Sequence, residues 1–399
     1  MSDEHSKWQR IKPWVVLAFL AVIVGVVALA GCQAGADEDV VETATERPTA
    51  TDTQEPSATP RPTRTPTATR TPGPTPVGLV GPDVYPEGIN PLTGLPVDDP
   101  DVLDRLPLAI KICNSPPISR PQAGLNSADV MIEHYTEGTV TRLTGIFYSQ
   151  TPERVGSVRS GRLIDLEIPV MYEALFTSSG FSDGVHALML QAPWRARNFT
   201  GTFGYGAPLL YRIFEDDLPL EFTLFSNPAA IWDYAETRGL NHRPNLVGMA
   251  FSSFVPEGGE PTTEITIDYM DAPVLWEYDE SDGLYRRWQD GEMHTDALTE
   301  EQVFATNVVA IAATHVDSDI LEDAHWNLPS IEIQIWGQGR AVIFRDGVAF
   351  RGTWHRPTRT EEGVGFSFTT EEGDVLPLRP GNTWIQIIPY DMEDLTYQP

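Results

Sequence analysis

Apolar residues are distributed along the 399-residue chain in three different ways. A continuous apolar run spans 14–30, residues 33–77 contain few large apolar side chains, and short apolar runs between turn-forming residues fill the rest. Short runs bounded by Gly, Pro, Asn or Asp are typical of β-strands, whereas a 3.6-residue period is typical of helices. The pattern therefore predicts a targeting segment, a linker and a folded region.

The first half of the folded region, residues 80–243, is predicted to be a mixed α/β domain with a central sheet. Gly138 marks a hairpin turn between two of its strands. The apolar runs that match buried strands are Leu108–Cys113, Val130–Tyr135 and 143–148. A helix is predicted at 228–238, because Asn227 suits its N-cap and Gly239 its C-terminal end. Residues 192–206, rich in Gly, aromatic residues and Arg, are predicted to form a long surface loop.

The second half, residues 262–396, is predicted to be a mainly antiparallel β domain. Alternating strand patterns recur there, separated by turn signals such as Asp346-Gly347. Residues 241–263 change in composition and are predicted to be the domain boundary. The fold class is therefore α/β (α+β), with a mixed N-terminal and a β-rich C-terminal domain.

The N-terminal 32 residues have the three parts of a lipoprotein signal peptide. Basic residues precede the apolar run, which ends in Leu-Ala-Gly before Cys32 and resembles the bacterial lipobox. Cys32 is the predicted lipidation site, although an uncleaved membrane anchor is the alternative. Residues 33–77 are predicted to be a disordered Thr/Pro-rich tether. Either way we expect a cell-membrane anchor with the remaining chain outside the cytoplasm.

Charge and cysteine content narrow the function classes. The formal net charge is −30, with 57 acidic and 27 basic residues, so a general nucleic-acid partner is not expected. The two cysteines, Cys32 and Cys113, have no zinc-ligand spacing. We find no cofactor motif and expect no metal site.

Arg and Glu residues concentrate between Arg120 and Arg162 among the predicted strands. Glu133 and Glu137 are candidates for a general acid and base, and the arginines are candidates for holding an anionic group. We expect these side chains to line one cleft. The predicted ligand-binding residues are Asn114, Arg120, Gln122, Glu133, Glu137, Arg142, Arg159 and Arg162.

Three functions are compatible with these residues. The favoured hypothesis is a binding or accessory lipoprotein of the cell envelope, whose cleft recognises a cell-wall component or an envelope protein. The first alternative is an envelope hydrolase that uses Glu133 and Glu137 as acid and base. The second is a solute-binding lipoprotein whose domains close on a small ligand. No nucleophile motif such as GxSxG is present, so we lean away from an enzyme.

Several segments together resemble the YerB-like lipoproteins, a bacterial family that is often lipid-anchored. They are INPLTGLP, RPQAGLNSADV, EGTVTR, VGSVRSGR and LRPGNTWIQIIP, and the resemblance covers roughly residues 88–395. The resemblance implies two consecutive domains of unknown function, a mixed α/β one followed by a smaller, mainly β one. One departure is the segment LPLEFTLFSNPAAIW, which lacks the histidine that such proteins commonly carry before the asparagine, here Asn227.

Overall fold

The computed structural model describes residues 78–214, 217–323 and 325–399. The predicted signal peptide, its lipidation site Cys32 and the predicted tether lie outside these residues. The described residues belong to one compact unit. Within these ranges, no helix combines the length and the apolar character needed to cross a membrane.

The first half of the described chain contains short strands, three α-helices and several 3₁₀ turns. The strands are β1 (Leu108–Cys113), β2 (Val130–Tyr135), β3 (Thr141–Phe147), β4 (Val155–Gly156), β5 (Leu175–Thr177), β6 (Leu210–Arg212) and β7 (Leu224–Ser226). The α-helices are α1 (Ile168–Met171), α2 (Asp183–Met189) and α3 (Pro228–Thr237). The 3₁₀ turns are Pro100–Asp104, Pro117–Ser119, Leu125–Ser127, Glu137–Thr139, Leu163–Leu166, Arg195–Arg197, Gly201–Phe203 and Leu220–Phe222.

The second half is built from strands alone, within the residues described. They are β8 (Glu260–Pro261), β9 (Glu264–Ile267), β10 (Val274–Asp279), β11 (Leu284–Gln289), β12 (Glu292–Met293), β13 (Phe304–Ala305), β14 (Asn307–Asp323), β15 (Leu328–Gln334), β16 (Gly337–Arg345), β17 (Val348–Arg356), β18 (Ser367–Thr369), β19 (Thr383–Pro389) and β20 (Leu395–Gln398).

The main sheet has 11 strands and draws them from both halves of the sequence. Its order is β18-β17-β16-β14-β19-β2-β3-β1-β5, with β15 paired to β14 and β8 paired to β17. Strand β19 lies parallel to both β14 and β2, with Ile385 opposite Ile132 in the β2 pairing. Strand β19 of the second half therefore joins the two halves by backbone hydrogen bonds.

Two apolar cores cover the two faces of this sheet, because successive side chains of a strand point to opposite faces. On one face, Ile132 belongs to a core that includes Ile168 of α1 and Val185 of α2. On the other, Met131 belongs to a core that includes residues of α3 and of a six-stranded sheet. We call these the helix-covered face and the sheet-covered face.

Two smaller sheets complete the architecture. The six-stranded sheet has the order β12-β11-β10-β9-β20, with β13 paired to β11, and its pairs are antiparallel. A three-stranded antiparallel sheet, β4-β7-β6, lies beside the first half. The fold is thus mixed α/β, with a mixed main sheet and two antiparallel ones, which confirms the predicted fold class.

Several local predictions are confirmed at residue level. β1 and β2 have the predicted bounds, and α3 begins at Pro228 as expected. The Asn227 side chain caps α3 by accepting a hydrogen bond from the Ala230 N–H at 3.1 Å. Gly239, just past the end of α3, has a φ of +64°, a conformation that favours glycine.

Candidate functional site

The predicted site residues form two clusters on opposite faces of the main sheet, so the prediction of one shared cleft was wrong. Residue spacing explains the separation. Glu133 lies between Ile132 and His134 on β2, and its side chain points to the sheet-covered face while theirs point to the helix-covered one. Glu137 follows the end of β2 and pairs with Arg162 on the helix-covered face.

The first cluster, which we call the Glu133 cluster, packs against the six-stranded sheet. Its members are Asn114, Arg120, Gln122 and Glu133 from the first half and Arg287, Gln289, Asp290 and His294 from the second. Glu133 is fully buried, and its carboxylate accepts hydrogen bonds from Asn114 at 3.0 Å, from Thr141 at 2.8 Å and from Arg287 at 2.8 Å.

Arg287 links Glu133 to the rest of this cluster. Its guanidinium also donates to Gln289 at 2.6 Å and lies over the Trp384 ring at 4.8 Å from the centroid. Burial lowers the pKa of Arg287, and the charge of Glu133 offsets part of that effect. The two opposite charges are therefore buried together and depend on each other.

His294 completes the chain of hydrogen bonds as a neutral imidazole. Its Nε2 donates to the Gln122 Oε1 at 2.6 Å, and its Nδ1 faces Arg287 Nη1 and accepts from it. Burial, and then the charges of Arg287 and Arg120, hold the pKa of His294 well below its usual 6.5. Gln122 in turn donates to the Cys113 carbonyl at 2.7 Å.

The Glu133 cluster therefore joins the two halves of the chain. Arg120 pairs with Asp290 and donates to the Asn114 carbonyl at 3.2 Å, which adds another link of the same kind. The Glu133 and Glu137 carboxylates do not share a cleft, and each is bound by its own arginine. An acid–base pair made of these two residues does not fit the geometry.

The second cluster, which we call the arginine cluster, consists of Arg142, Arg159, Arg162, Glu137 and Glu322 on the helix-covered face. Residues 157–161 hold it in place, because they form backbone hydrogen bonds to the end of β1 and to residues 179–180. Ser157 O accepts from Cys113 N at 2.9 Å and Arg159 N donates to Lys111 O at 3.0 Å; Ser179 N donates to Arg159 O at 3.0 Å and Gly161 N donates to Gly180 O at 2.9 Å.

Arg162 is bound by Glu137 through two parallel contacts. Its Nε donates to Glu137 Oε2 at 2.7 Å, and its Nη2 donates to Glu137 Oε1. Burial raises the pKa of the Glu137 carboxyl, but the hydrogen bonds and charge of Arg162 outweigh it, so the pKa of Glu137 is lowered. Both groups are therefore charged, and they form an ion pair with each other.

Glu322 reaches the cluster from a long hairpin. β14 pairs with β16 and β19 in its first part, and from Thr314 onwards it pairs with β15. Near its end, Glu322 Oε2 lies 3.6 Å from Arg162 Nε, and Glu322 Oε1 accepts from Ser330 at 2.7 Å. Burial raises the pKa of Glu322, and the charge of Arg162 offsets part of the rise.

Arg142 differs from the other buried arginines of the described chain, because its side chain has no hydrogen bond or ion pair to any described residue. Its side chain is 6% exposed, and its Nε and Nη1 are buried without a partner. Burial, and then the charge of Arg162, lower its pKa to about 10. Buried donors without acceptors cost roughly 1–3 kcal/mol each, so Arg142 is a position where an acceptor is missing.

Arg159 is the third arginine of the cluster and is half-buried. Its Nε is buried and has no partner among the described residues, and its guanidinium lies 5.2 Å from the centroid of the Phe222 ring. In the part of the chain that is described, it has no carboxylate partner within ion-pair distance. Three arginines therefore face two carboxylates, and both carboxylates lie next to Arg162.

A fully buried network lies directly behind the arginine cluster. Lys111 Nζ lies 2.7 Å from His134 Nε2, donates to Thr144 at 2.9 Å and pairs with Asp165 at 3.0 Å. Burial lowers the pKa of Lys111 to about 8, and the charge of Asp165 offsets part of this shift. Asp165 also accepts from the backbone N–H of Arg162 at 2.7 Å, which fixes the start of the turn that carries Arg162.

The described residues contain no group of three or more His, Cys, Asp or Glu side chains arranged to hold a metal ion. His134 donates through Nδ1 to the Tyr135 carbonyl at 2.7 Å and accepts from Lys111 through Nε2. Both ring nitrogens are thus occupied by the protein. The arrangement on this face is suited to receiving an anion, because arginine forks match carboxylate and phosphate oxygens.

Sequence reasoning found the three arginines and Glu137 but not Glu322, Lys111 or Asp165 as their neighbours. Glu322 lies 160 residues beyond Arg162 in a strand whose charged residues look like a solvated face. Lys111 did carry a signal, since it is the one charge inside the apolar run Leu108–Cys113. A charge in such a run needs a buried partner.

Comparisons with known proteins agree with this architecture. Residues 92–241 match the N-terminal domain, and residues 265–385 the C-terminal domain, of the protein family of unknown function DUF3048. A Bacillus subtilis (strain 168) protein named "Putative lipoprotein YerB" is 28% identical over 318 residues, covering 77% of this chain and 88% of that protein. The chain belongs to the YerB-like family.

A crystal structure of the YerB protein from Bacillus subtilis gives the same result for the fold. It superposes with a TM-score of 0.66 at 27% sequence identity, covering 78% of this chain and 99% of that one. The resemblance of this YerB-like chain to its relative therefore extends through both matched domains. The family's description assigns it no activity.

Proposed function

We propose that this YerB-like chain is a lipid-anchored binding protein of the cell envelope whose arginine cluster receives an anionic group. The observation that carries the proposal is Arg142, whose buried Nε and Nη1 have no acceptor among the residues that the structure describes. A carboxylate or phosphate oxygen placed between Arg142 and Arg159 would supply the missing acceptor and balance the excess of positive charge.

The surrounding charge makes this position unusual. The chain has a formal net charge of −30, so a cluster in which arginines outnumber carboxylates stands out from its electrostatic background. A buried cation that is retained without a protein partner destabilises the fold. Such a residue is more simply explained by a ligand than by a structural role.

Anion titration of the purified full chain in detergent micelles tests the binding proposal. We expect saturable binding of acetate and inorganic phosphate by NMR, with affinity reduced at least tenfold in Arg142→Gln. Arg195→Gln is the matched control, because Arg195 is exposed and lies outside the cluster. The proposal fails if neither anion saturates, or if the control weakens binding as much as Arg142→Gln.

Anchoring is supported by the lipobox-like residues before Cys32 and by the name of the Bacillus subtilis relative. We expect metabolic labelling with a fatty acid to modify the full chain and Cys113→Ser, but not Cys32→Ser. Label that persists in Cys32→Ser would contradict lipidation at this residue. The two variants remove one thiol each, so they control for the chemical change itself.

A further inference from the structure

A pocket with a volume of about 530 Å³ opens beside residues 158–160, the segment that precedes Arg162. Its walls come from the loop around Gly201–Phe203, from β6 and from the start of β7, and Ser179 lines one side. The volume is in the range of roughly 300–1,000 Å³ that is common for small-molecule sites. The loop predicted at 192–206 thus provides a wall of this pocket.

The pocket and the arginine cluster share a wall. Ser179 Oγ, on the pocket side, lies 3.4 Å from Ser160 Oγ, which is between Arg159 and Arg162. Leu224, which also lines the pocket, accepts a hydrogen bond from Val158 N at 2.6 Å. The pocket and the arginine cluster therefore both adjoin the segment 158–160.

The side chains of the pocket are suited to a ring that carries hydroxyl groups. Tyr205 and Tyr211 supply aromatic surfaces with a polar end, and Thr202 and Ser179 supply hydroxyls. Edge-on contacts fix the Tyr205 ring, with its centroid 5.3 Å from that of Phe199 and 5.8 Å from that of Tyr234.

The backbone also approaches closely here. A Cβ at Gly201 would lie 2.9 Å from the Ser179 carbonyl oxygen, so only glycine allows the loop to pack against that wall. The pocket therefore combines a fixed aromatic surface, hydroxyls and a closely packed glycine in its wall. This combination is unlike a purely apolar site, and it suits a ligand that is polar at its edges and apolar on its faces.

We propose that the pocket holds the ring of a saccharide whose carboxylate or phosphate is bound by Arg142 and Arg159. This inference rests on the proposed function, because it assigns the anion to the same arginines. It adds a class of ligand, an acidic saccharide, and a second set of contacts. Carboxylated and phosphorylated sugars share the required chemistry.

Ligand-observed saturation-transfer NMR on the full chain in micelles distinguishes binding of an anion alone from binding of an acidic saccharide. The probes are acetate, inorganic phosphate, glucose, glucuronic acid and glucose 6-phosphate. We expect each acidic sugar to bind at least tenfold more tightly than acetate or phosphate, and glucose to bind more weakly than either acidic sugar. The tighter of the two acidic sugars identifies whether the anion is a carboxylate or a phosphate.

Two variants separate the pocket from the cluster. Tyr211→Ala should lower the affinity for the acidic sugars to that for acetate and phosphate, whose own affinity should not change. Arg142→Gln should weaken the binding of all acidic probes. Tyr390→Ala is the control, because Tyr390 is an exposed tyrosine outside the pocket. The inference is overturned if the acidic sugars bind no better than acetate and phosphate, or if they keep their higher affinity in Tyr211→Ala. The proposed function stands in either case. No binding of any anion overturns both.

Discussion

The two faces of the main sheet bury two clusters of charged residues, and the clusters differ in how their buried charges are paired. In the Glu133 cluster, the carboxylate and Arg287 lie 2.8 Å apart and their neighbours supply further hydrogen bonds. In the arginine cluster, Arg142 is equally removed from water but has no partner among the described residues. Removing one member of a buried pair leaves the other charge uncompensated, whereas a buried charge that lacks a partner among the described residues is a position where a ligand can supply one.

The largest expected effect is the loss of the Glu133 partner. Arg287→Met leaves a buried, uncompensated carboxylate, so we expect the free energy of unfolding to fall by about 3–5 kcal/mol. Urea denaturation of the full chain in micelles, followed by tryptophan fluorescence, measures this change.

The double variant Glu133→Gln/Arg287→Met is the control for this prediction. It removes both charges, so it should be more stable than Arg287→Met alone. If Arg287→Met costs less than about 1 kcal/mol, the value of an exposed ion pair, the Glu133 cluster is not the link between the halves that we describe.

Sequence reasoning predicted much of the local structure, because local structure depends on local signals. The apolar run of β1 and the Asn227 cap of α3 each specify their element without distant partners. The parallel pairing of β19 with β2 is different, since it joins residues more than 250 positions apart. Both strands are buried on both faces, so neither has the alternation that would show which neighbour it takes.

The same limit explains the candidate site. Sequence proximity placed Glu133 and Glu137 together, but the two-residue period of β2 and the turn after it separate them. Arg287, the partner of Glu133, comes from a strand of the second half, whereas Arg162, the partner of Glu137, belongs to the first half. The shared sheet also leaves no hinge between the halves, because closing them would break the β2–β19 hydrogen bonds, so we do not propose domain closure on a solute.

A pH titration of stability compares how far the two faces of the main sheet exclude water from their buried histidines. His294 belongs to the Glu133 cluster and His134 lies behind the arginine cluster, and burial holds the pKa of both well below 6.5. Below pH 6.5 the unfolded chain therefore binds protons that the folded chain does not. We expect stability to fall with decreasing pH by up to about 1.4 kcal/mol per pH unit for each histidine.

Urea denaturation at pH values from about 8 to about 5 measures this slope, because the range includes the ordinary histidine pKa of about 6.5. His294→Gln and His134→Gln should each flatten it, one for each face. If His134→Gln leaves the slope unchanged while His294→Gln reduces it, water reaches the network behind the arginine cluster, and the two faces differ more than the structure indicates.

Arg142 should respond in the opposite direction from Arg287. Arg142→Met removes a buried cation whose Nε and Nη1 have no acceptor within the described part of the chain, so we expect stability to rise by roughly 1–2 kcal/mol. Urea denaturation without added anion measures it, with Arg195→Met as the exposed control. A loss of stability as large as that of Arg287→Met would mean that Arg142 has a structural role and would contradict the ligand interpretation.

The smallest expected effect concerns the carboxylate that competes with the ligand. Glu137 occupies Arg162 Nε and Nη2, so Glu137→Gln frees these donors and removes a negative charge beside the proposed anion position. We expect the affinity for acetate and phosphate to rise by about three- to tenfold, less than about 1.4 kcal/mol. NMR titration measures it, and Glu372→Gln, at an exposed glutamate, is the control. A weaker affinity in Glu137→Gln would show that Glu137 positions Arg162 for the ligand and does not compete with it, which would make the arginine cluster as dependent on its own carboxylate as the Glu133 cluster is on Arg287.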